Sequence, residues 1–247
     1  MSSNQLSAAS ATPATKKQKL VQFIRKYSHA VVLLYGIVYL QWFTWVESRS
    51  NIAFHVIHTT LDEHIPFVEA FIIPYMLWFG YIAITLAWFF FKSRQDFLRC
   101  CAFMFTGMTV CLIIYTIWPN MQDLRPKVMP RDNIFTAVVA WLYSIDTPTN
   151  VSPSIHVFNS ISAYIAIARS ETFGKYYRPV RAASLILTIL ISLSTMFLKQ
   201  HSIFDVFCAI ILSAIMYALV YVPEFGQAVT AKDAPAKTAK ARPRTAR

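Results

Sequence analysis

His201 and Asp205 stand four residues apart at the start of the last apolar stretch of this 247-residue chain. One helical turn brings side chains at i and i+4 to the same face, so the carboxylate can accept a hydrogen bond from one imidazole nitrogen. That bond fixes the tautomer and leaves the other nitrogen free as a nucleophile or base. A His-x3-Asp pair also serves as a plain structural hydrogen bond, so its meaning depends on what converges on it.

Three further groups are candidates. In Pro153-Ser154-Ile155-His156, Ser154 has the character of a helix N-cap, and the free N–H groups of a helix start attract an anion. His156, just behind it, is placed to give a proton to a leaving group. Arg125, followed by Pro126, is a fixed cation suited to bidentate contact with phosphate. Lys199, two residues before His201, offers a second cation beside the nucleophile; its alternative is to reach for lipid head groups. A nucleophile, an orienting acid, a proton donor, cations and helix N-termini are equipment for phosphoryl transfer without a metal. Neither a metal nor another cofactor is expected, since no carboxylate cluster suited to Mg²⁺ accompanies them.

The elements that must position these groups are membrane helices. At 56% hydrophobic and 14% charged residues, the composition is too apolar for an ordinary soluble domain. The net charge of +11 does not imply nucleic acid, because the basic residues lie in tails and short links beside apolar runs. The expected fold is all-α and polytopic, with about six transmembrane helices. They lie at about Ser28–Val46, Phe67–Phe91 (kinked at Pro74), Cys100–Trp118, Ile155–Arg169, Ala182–Leu198 and Ser202–Val222. Between the third and fourth spans, Ile134–Ile145 would be about 18 Å long as a helix, too short to cross a bilayer. It reads as a short interfacial helix. Pro119–Asn133, with three prolines, reads as an extended loop. Residues 1–26 and 223–247 read as disordered basic tails around a membrane domain at 27–222. The end of the N-terminal tail doubles as a membrane-surface anchor.

Of the 23 lysines and arginines, all but Arg49, Arg125, Lys127, Arg131 and Lys199 fall in the two tails and in the 92–99 and 169–181 links. The positive-inside rule then places both termini in the cytosol. Arg125, His156, Lys199 and His201 share the opposite face. The polar stretch Glu47–Pro66 holds His55, His58, Asp62, Glu63 and His64. It reads as a surface helix or loop, or a lid over the site, in preference to a metal centre, since no ligand set is complete. Cys100, Cys101, Cys111 and Cys208 read as small packing residues.

At these residues the chain resembles the type-2 phosphatidate phosphatase superfamily of membrane lipid phosphatases and phosphotransferases. That family carries Lys-x6-Arg-Pro, then Pro-Ser-x-His, then Ser-Arg-x5-His-x3-Asp. Arg125-Pro126, Pro153-Ser154-Ile155-His156 and Ser194…His201…Asp205 match in that order, while Trp118 and Thr195 stand at the first-motif lysine and third-motif arginine. The resemblance implies His201 as a nucleophile forming a phosphohistidine, Asp205 as its orienter and His156 as the general acid. Arg125, Ser154 and Ser194 would hold the phosphoryl oxygens; Lys199, and Lys127 or Arg131, are the candidates to replace the two missing cations.

The implied activity is hydrolysis of a membrane lipid phosphate or isoprenoid pyrophosphate on the outer face of the plasma membrane. Two alternatives are a head-group phosphotransferase similar to inositol phosphorylceramide synthases, and an inactive membrane scaffold or carrier.

Overall fold

The computed structural model describes residues 15–222. Nine α-helices and a minimal parallel sheet make up the described chain: α1 (Lys16–Lys26), α2 (Tyr35–Glu47), β1 (His55–Val56), α3 (Thr60–His64), α4 (Ile72–Lys92), α5 (Arg94–Ile117), β2 (Asn120–Met121), α6 (Ile134–Ile145), α7 (Ile155–Arg169), α8 (Tyr177–Phe197) and α9 (Ile203–Val220). Five helical segments are long and apolar enough to cross a membrane: Ser28–Glu47, Glu69–Lys92, Arg94–Ile117, Gly174–Phe197 and Ile203–Val220. Their outward faces are apolar; Ile73, Leu77, Ile84 and Phe91 on α4 and Phe207, Ile211, Ile215 and Leu219 on α9 are all exposed. A surface of that kind is stable against hydrocarbon. The protein is a helical membrane protein.

The sixth expected span does not reach bilayer length. α7 has 15 residues, about 22 Å of helix, because Ser154 starts it late and Arg169 closes its last turn. It forms the centre of the bundle instead, packed against α4, α5, α8 and α9. The approach of α7 to α5 depends on Gly107, where an added Cβ would stand 1.9 Å from the Phe158 ring. Phe158 stacks in turn on Phe103 at 5.6 Å between centroids.

Other boundaries also differ from expectation. α5 starts at Arg94 and α8 at Tyr177, ahead of the apolar runs. A polar first turn with a good cap continues a helix beyond its membrane part, and at α5 the Ser93 side chain accepts from the Asp96 N–H. Pro74 lies in the first turn of α4, where its missing N–H removes no intrahelical bond. Lys16–Lys26, within the stretch expected to be a disordered tail, is helical: Thr15 and Gln18 form a reciprocal capping box at the head of a run rich in helix-favouring Lys and Gln. The expected C-terminal tail, 223–247, lies outside the described residues, as do residues 1–14 of the N-terminal one.

Two ends of the bundle are distinct. At one, the α4–α5 and α7–α8 links meet: the Ser170 hydroxyl donates to Asp96 (2.7 Å) and the Trp88 indole to Thr172 (3.0 Å). At the other, the chain builds layered loops. β1 and β2 pair in parallel, His55 against Asn120 and Val56 against Met121, and Met121 bridges to Thr149. The candidate chemistry gathers at this second end.

Candidate active site

The segment carrying His201 is shaped by the way α8 stops. Lys199 adopts φ +53°, the Gln200 N–H bonds the Thr195 carbonyl (2.9 Å) and the Lys199 N–H that of Met196 (2.9 Å). This is a Schellman cap with lysine where glycine is usual. The left-handed conformation costs a β-carbon-bearing residue about 1 kcal/mol, so the surroundings must hold it. They do: Lys199 Nζ donates to the carbonyls of Asp62 (2.8 Å) and Ile65 (2.5 Å). The His201 N–H then bonds the Thr195 carbonyl at 3.0 Å. Thr195, which stands where the resembled motif has arginine, thus anchors the turn through its backbone.

α9 begins immediately after. Ser202 caps it in a reciprocal box with Asp205, whose Oδ2 accepts from the Ser202 N–H (2.9 Å) and lies 3.4 Å from His201 Nδ1. Asp205 is fully buried and His201 nearly so.

A second carboxylate, assigned no role from its spacing, completes the support. Asp62, 1% exposed, accepts from the Ser202 hydroxyl (2.6 Å), the Ile203 N–H (2.9 Å), the Thr59 N–H (2.8 Å) and the Thr59 hydroxyl (2.9 Å). Burial pushes its carboxyl up, but these donors outweigh burial and hold it below the usual range. The 59–65 segment is therefore a clamp on residues 199–203. Its signal in the sequence was the capping spacing Thr59-x-x-Asp62. The three histidines nearby do not converge: His55 stacks on Trp118 at 5.5 Å, His58 pairs with Asp123 at 2.9 Å, and His64 bonds its own helix at Thr60. Among the described residues no group of three or more His, Cys, Asp or Glu could hold a metal.

His156 is delivered by a second scaffold. Fully buried Asn120 accepts through Oδ1 from the N–H groups of Val151 and Ser152 (both 2.8 Å) and donates to the Ser152 carbonyl (3.1 Å). The Tyr115 hydroxyl donates to the Pro153 carbonyl at 2.5 Å. Ser154 caps α7 by accepting from the Val157 N–H, and its own N–H reaches the Asp205 carbonyl (3.2 Å). The starts of α7 and α9 are thereby joined. The His156 ring packs against Tyr75 (4.8 Å), Trp78 (4.5 Å) and the His201 ring (5.8 Å). Both histidines line a cavity of about 310 Å³.

Three expected phosphate-binding residues lie elsewhere. Ser194 is buried within α8, its hydroxyl donating to the Ile191 carbonyl (2.7 Å). Lys199 is held by the carbonyls described above. Arg125 stacks on Tyr143 (4.5 Å) and donates to the carbonyls of Asp146 (2.8 Å) and Thr147 (3.1 Å) and to the Gln200 side chain. It braces the cavity wall from behind, since Asp146, Thr147 and Gln200 line the cavity and Arg125 does not. Arg131 is likewise engaged, gripping Glu69 through two nitrogens, one at 2.6 Å, and Lys127 is exposed on the loop. No lysine or arginine lines the cavity; its charged wall residues are Glu47 and Asp146. Burial pushes Asp146 above the usual carboxylate range, against the pull of Arg125 and His201.

The chain matches no family model, no curated protein and no solved structure.

Proposed function

We propose that this protein is an integral membrane phosphatase that acts on a lipid phosphate or polyprenyl pyrophosphate through a phosphohistidine at His201. The observation that carries the reading is the meeting of His201 and His156 at 5.8 Å in one cavity, with Asp205 on the Nδ1 side of His201. Asp205 holds Nδ1 protonated, so Nε2 carries the lone pair and attacks phosphorus. The bond from phosphorus to the substrate oxygen breaks, and that oxygen takes a proton from His156. Water then attacks the phosphohistidine as His156 removes its proton, the N–P bond breaks, and phosphate leaves. The N-terminus of α7 supplies a favourable dipole for the transferring group, that of α9 being taken by Asp62 and Asp205, and Arg125 acts as a positioning residue for Asp146 and Gln200.

The cavity's rim supports a substrate with an apolar chain. Leu40, Phe79 and Ile145 line it and are also 61%, 53% and 61% exposed on the apolar exterior. Although α7 is too short to span a bilayer, it carries the chain from the site end of the bundle back to the other, so both termini lie on the cytosolic side and the site opens on the outer face of the plasma membrane. Purified protein should release phosphate from a panel of lipid and isoprenoid phosphates in a vanadate-sensitive, EDTA-resistant manner. Undiminished release by His201→Ala would overturn the mechanism.

A further inference from the structure

A second recess lies at the other end of the bundle, where the α4–α5 and α7–α8 links meet. Tyr81, Ile84 and Trp88 of α4 and Val180, Ala183 and Leu187 of α8 line a groove of about 550 Å³, and Phe173 and Tyr176 of the α7–α8 link complete it. Its extent matches one leaflet. From Tyr81 to Trp88, and from Val180 to Leu187, each helix rises by about 10 Å, and half of a bilayer's hydrocarbon core is about 15 Å. Trp88 lies one turn from the end of α4 and Tyr81 near its middle. The groove therefore runs from the lipid–water boundary toward the midplane. At its inner end the Tyr81 hydroxyl is tied to those of Ser184 (2.6 Å) and Thr188 (3.3 Å). The outer end is aromatic and cationic. Trp88 stacks on Phe173 at 5.2 Å, as rings do at a membrane interface. Lys92 Nζ stands 5.4 Å from the centre of the Trp88 ring, and Lys175 Nζ 5.0 Å from that of Tyr176. Both lysines are exposed, and among the described residues neither is paired with a carboxylate. The 92–99 and 169–181 links carry seven lysines and arginines against two acids, Asp96 and Glu171, and Asp96 is taken by the Ser170 hydroxyl.

We propose that this groove holds one membrane phospholipid of net negative charge, with an acyl chain between α4 and α8 and its head-group phosphate within reach of Lys92 and Lys175. An apolar trough of leaflet length accepts hydrocarbon, and the Trp88–Phe173 pair marks the depth at which the chain gives way to the head group. The two ammonium groups select the charge. They attract a phosphate whose charge is unbalanced, and they gain less from one that carries its own cation. In the orientation proposed above this is the cytosolic leaflet, where anionic lipids concentrate. The site itself rests neither on that orientation nor on the chemistry at His201.

The test is native mass spectrometry of the full chain, released from vesicles of phosphatidylglycerol and phosphatidylcholine in equal amounts and with identical acyl chains. Wild type should retain a single phospholipid, with phosphatidylglycerol favoured at least about tenfold for two lysines acting at a membrane surface. Lys92→Gln combined with Lys175→Gln should largely abolish that preference. Lys17→Gln combined with Lys19→Gln removes the same charge from α1, at the same end of the bundle, where Tyr27 stacks on Phe90; this pair should leave the preference intact. Ala183→Trp, at an exposed position in the groove, should displace both lipids from a protein of unchanged helicity. Equal retention of the two lipids by wild type would overturn the proposal, as would an equal loss of preference in the α1 pair. Undiminished retention by a folded Ala183→Trp protein would do the same. A dimer that carries no lipid would give the groove to a second copy of the chain and overturn the proposal equally.

Discussion

Asp62 connects two parts of the chain more than 130 residues apart, and its substitution separates positioning from chemistry. Asp62→Ala would strand the Ser202 hydroxyl and the Ile203 N–H beside His201, two buried donors that cost about 1–3 kcal/mol each when unpaired. We expect a loss of stability on the order of 3 kcal/mol by thermal or denaturant unfolding in detergent, with the fall in activity showing in kcat more than in KM. Asp62→Asn should recover much of the stability. The pH dependence has a definite sign. Donors hold the folded Asp62 carboxyl below its usual value, so its stabilising contribution is present above the unfolded pKa, about 3.9. It is lost as pH falls through the folded value. The stability gap between wild type and Asp62→Asn should therefore narrow as pH drops below about 4; a gap that widens in acid would contradict this assignment. Lys199 should behave as a structural residue: Lys199→Met loses the ties to Asp62 and Ile65, so stability falls before substrate affinity does.

The helices themselves were largely legible in the sequence, because apolar runs of membrane length admit few alternatives. Their limits were less so. The polar first turns of α5 and α8 lie ahead of the apolar runs, and that of α5 is set by a Ser93 cap that hydropathy does not register. His201 and Asp205 do meet, but not by helical spacing: His201 lies before the Ser202 cap, outside α9, and the turn between α8 and α9 brings it to Asp205. The place of Ser154 was readable from its cap character. The distribution of the cations was not. Arg125, Lys199 and Arg131 find carbonyl or carboxylate partners that depend on how three loops stack, and no local pattern encodes that. Asn120 is the clearest case: a single asparagine beyond α5 organises Val151 and Ser152 through three side-chain hydrogen bonds yet carries no motif. Asn120→Ala should lower activity as strongly as a site mutation while leaving global helicity unchanged by circular dichroism. At the helix–helix level, Gly107→Ala forces Phe158 to move and should destabilise the α5–α7 contact by about 2 kcal/mol.

Across the whole molecule, the basic links gather at one end of the bundle and the histidine cavity at the other. The reading of both termini as cytosolic predicts that a cysteine placed at exposed Lys127 is labelled by an impermeant reagent from outside intact cells, and one placed at Lys175 only after permeabilisation. An apolar exterior, a cavity whose rim merges with it and paired histidines within are what the proposed function asks of a protein whose substrate would stay in the bilayer while its head group reacts. The central claim is the covalent step. Purified protein quenched during turnover and mapped by mass spectrometry should carry a phosphoryl group on His201, stable in alkali and labile in acid, and absent from His201→Ala. Phosphate release with no adduct on His201, or an adduct on another residue, would contradict the account.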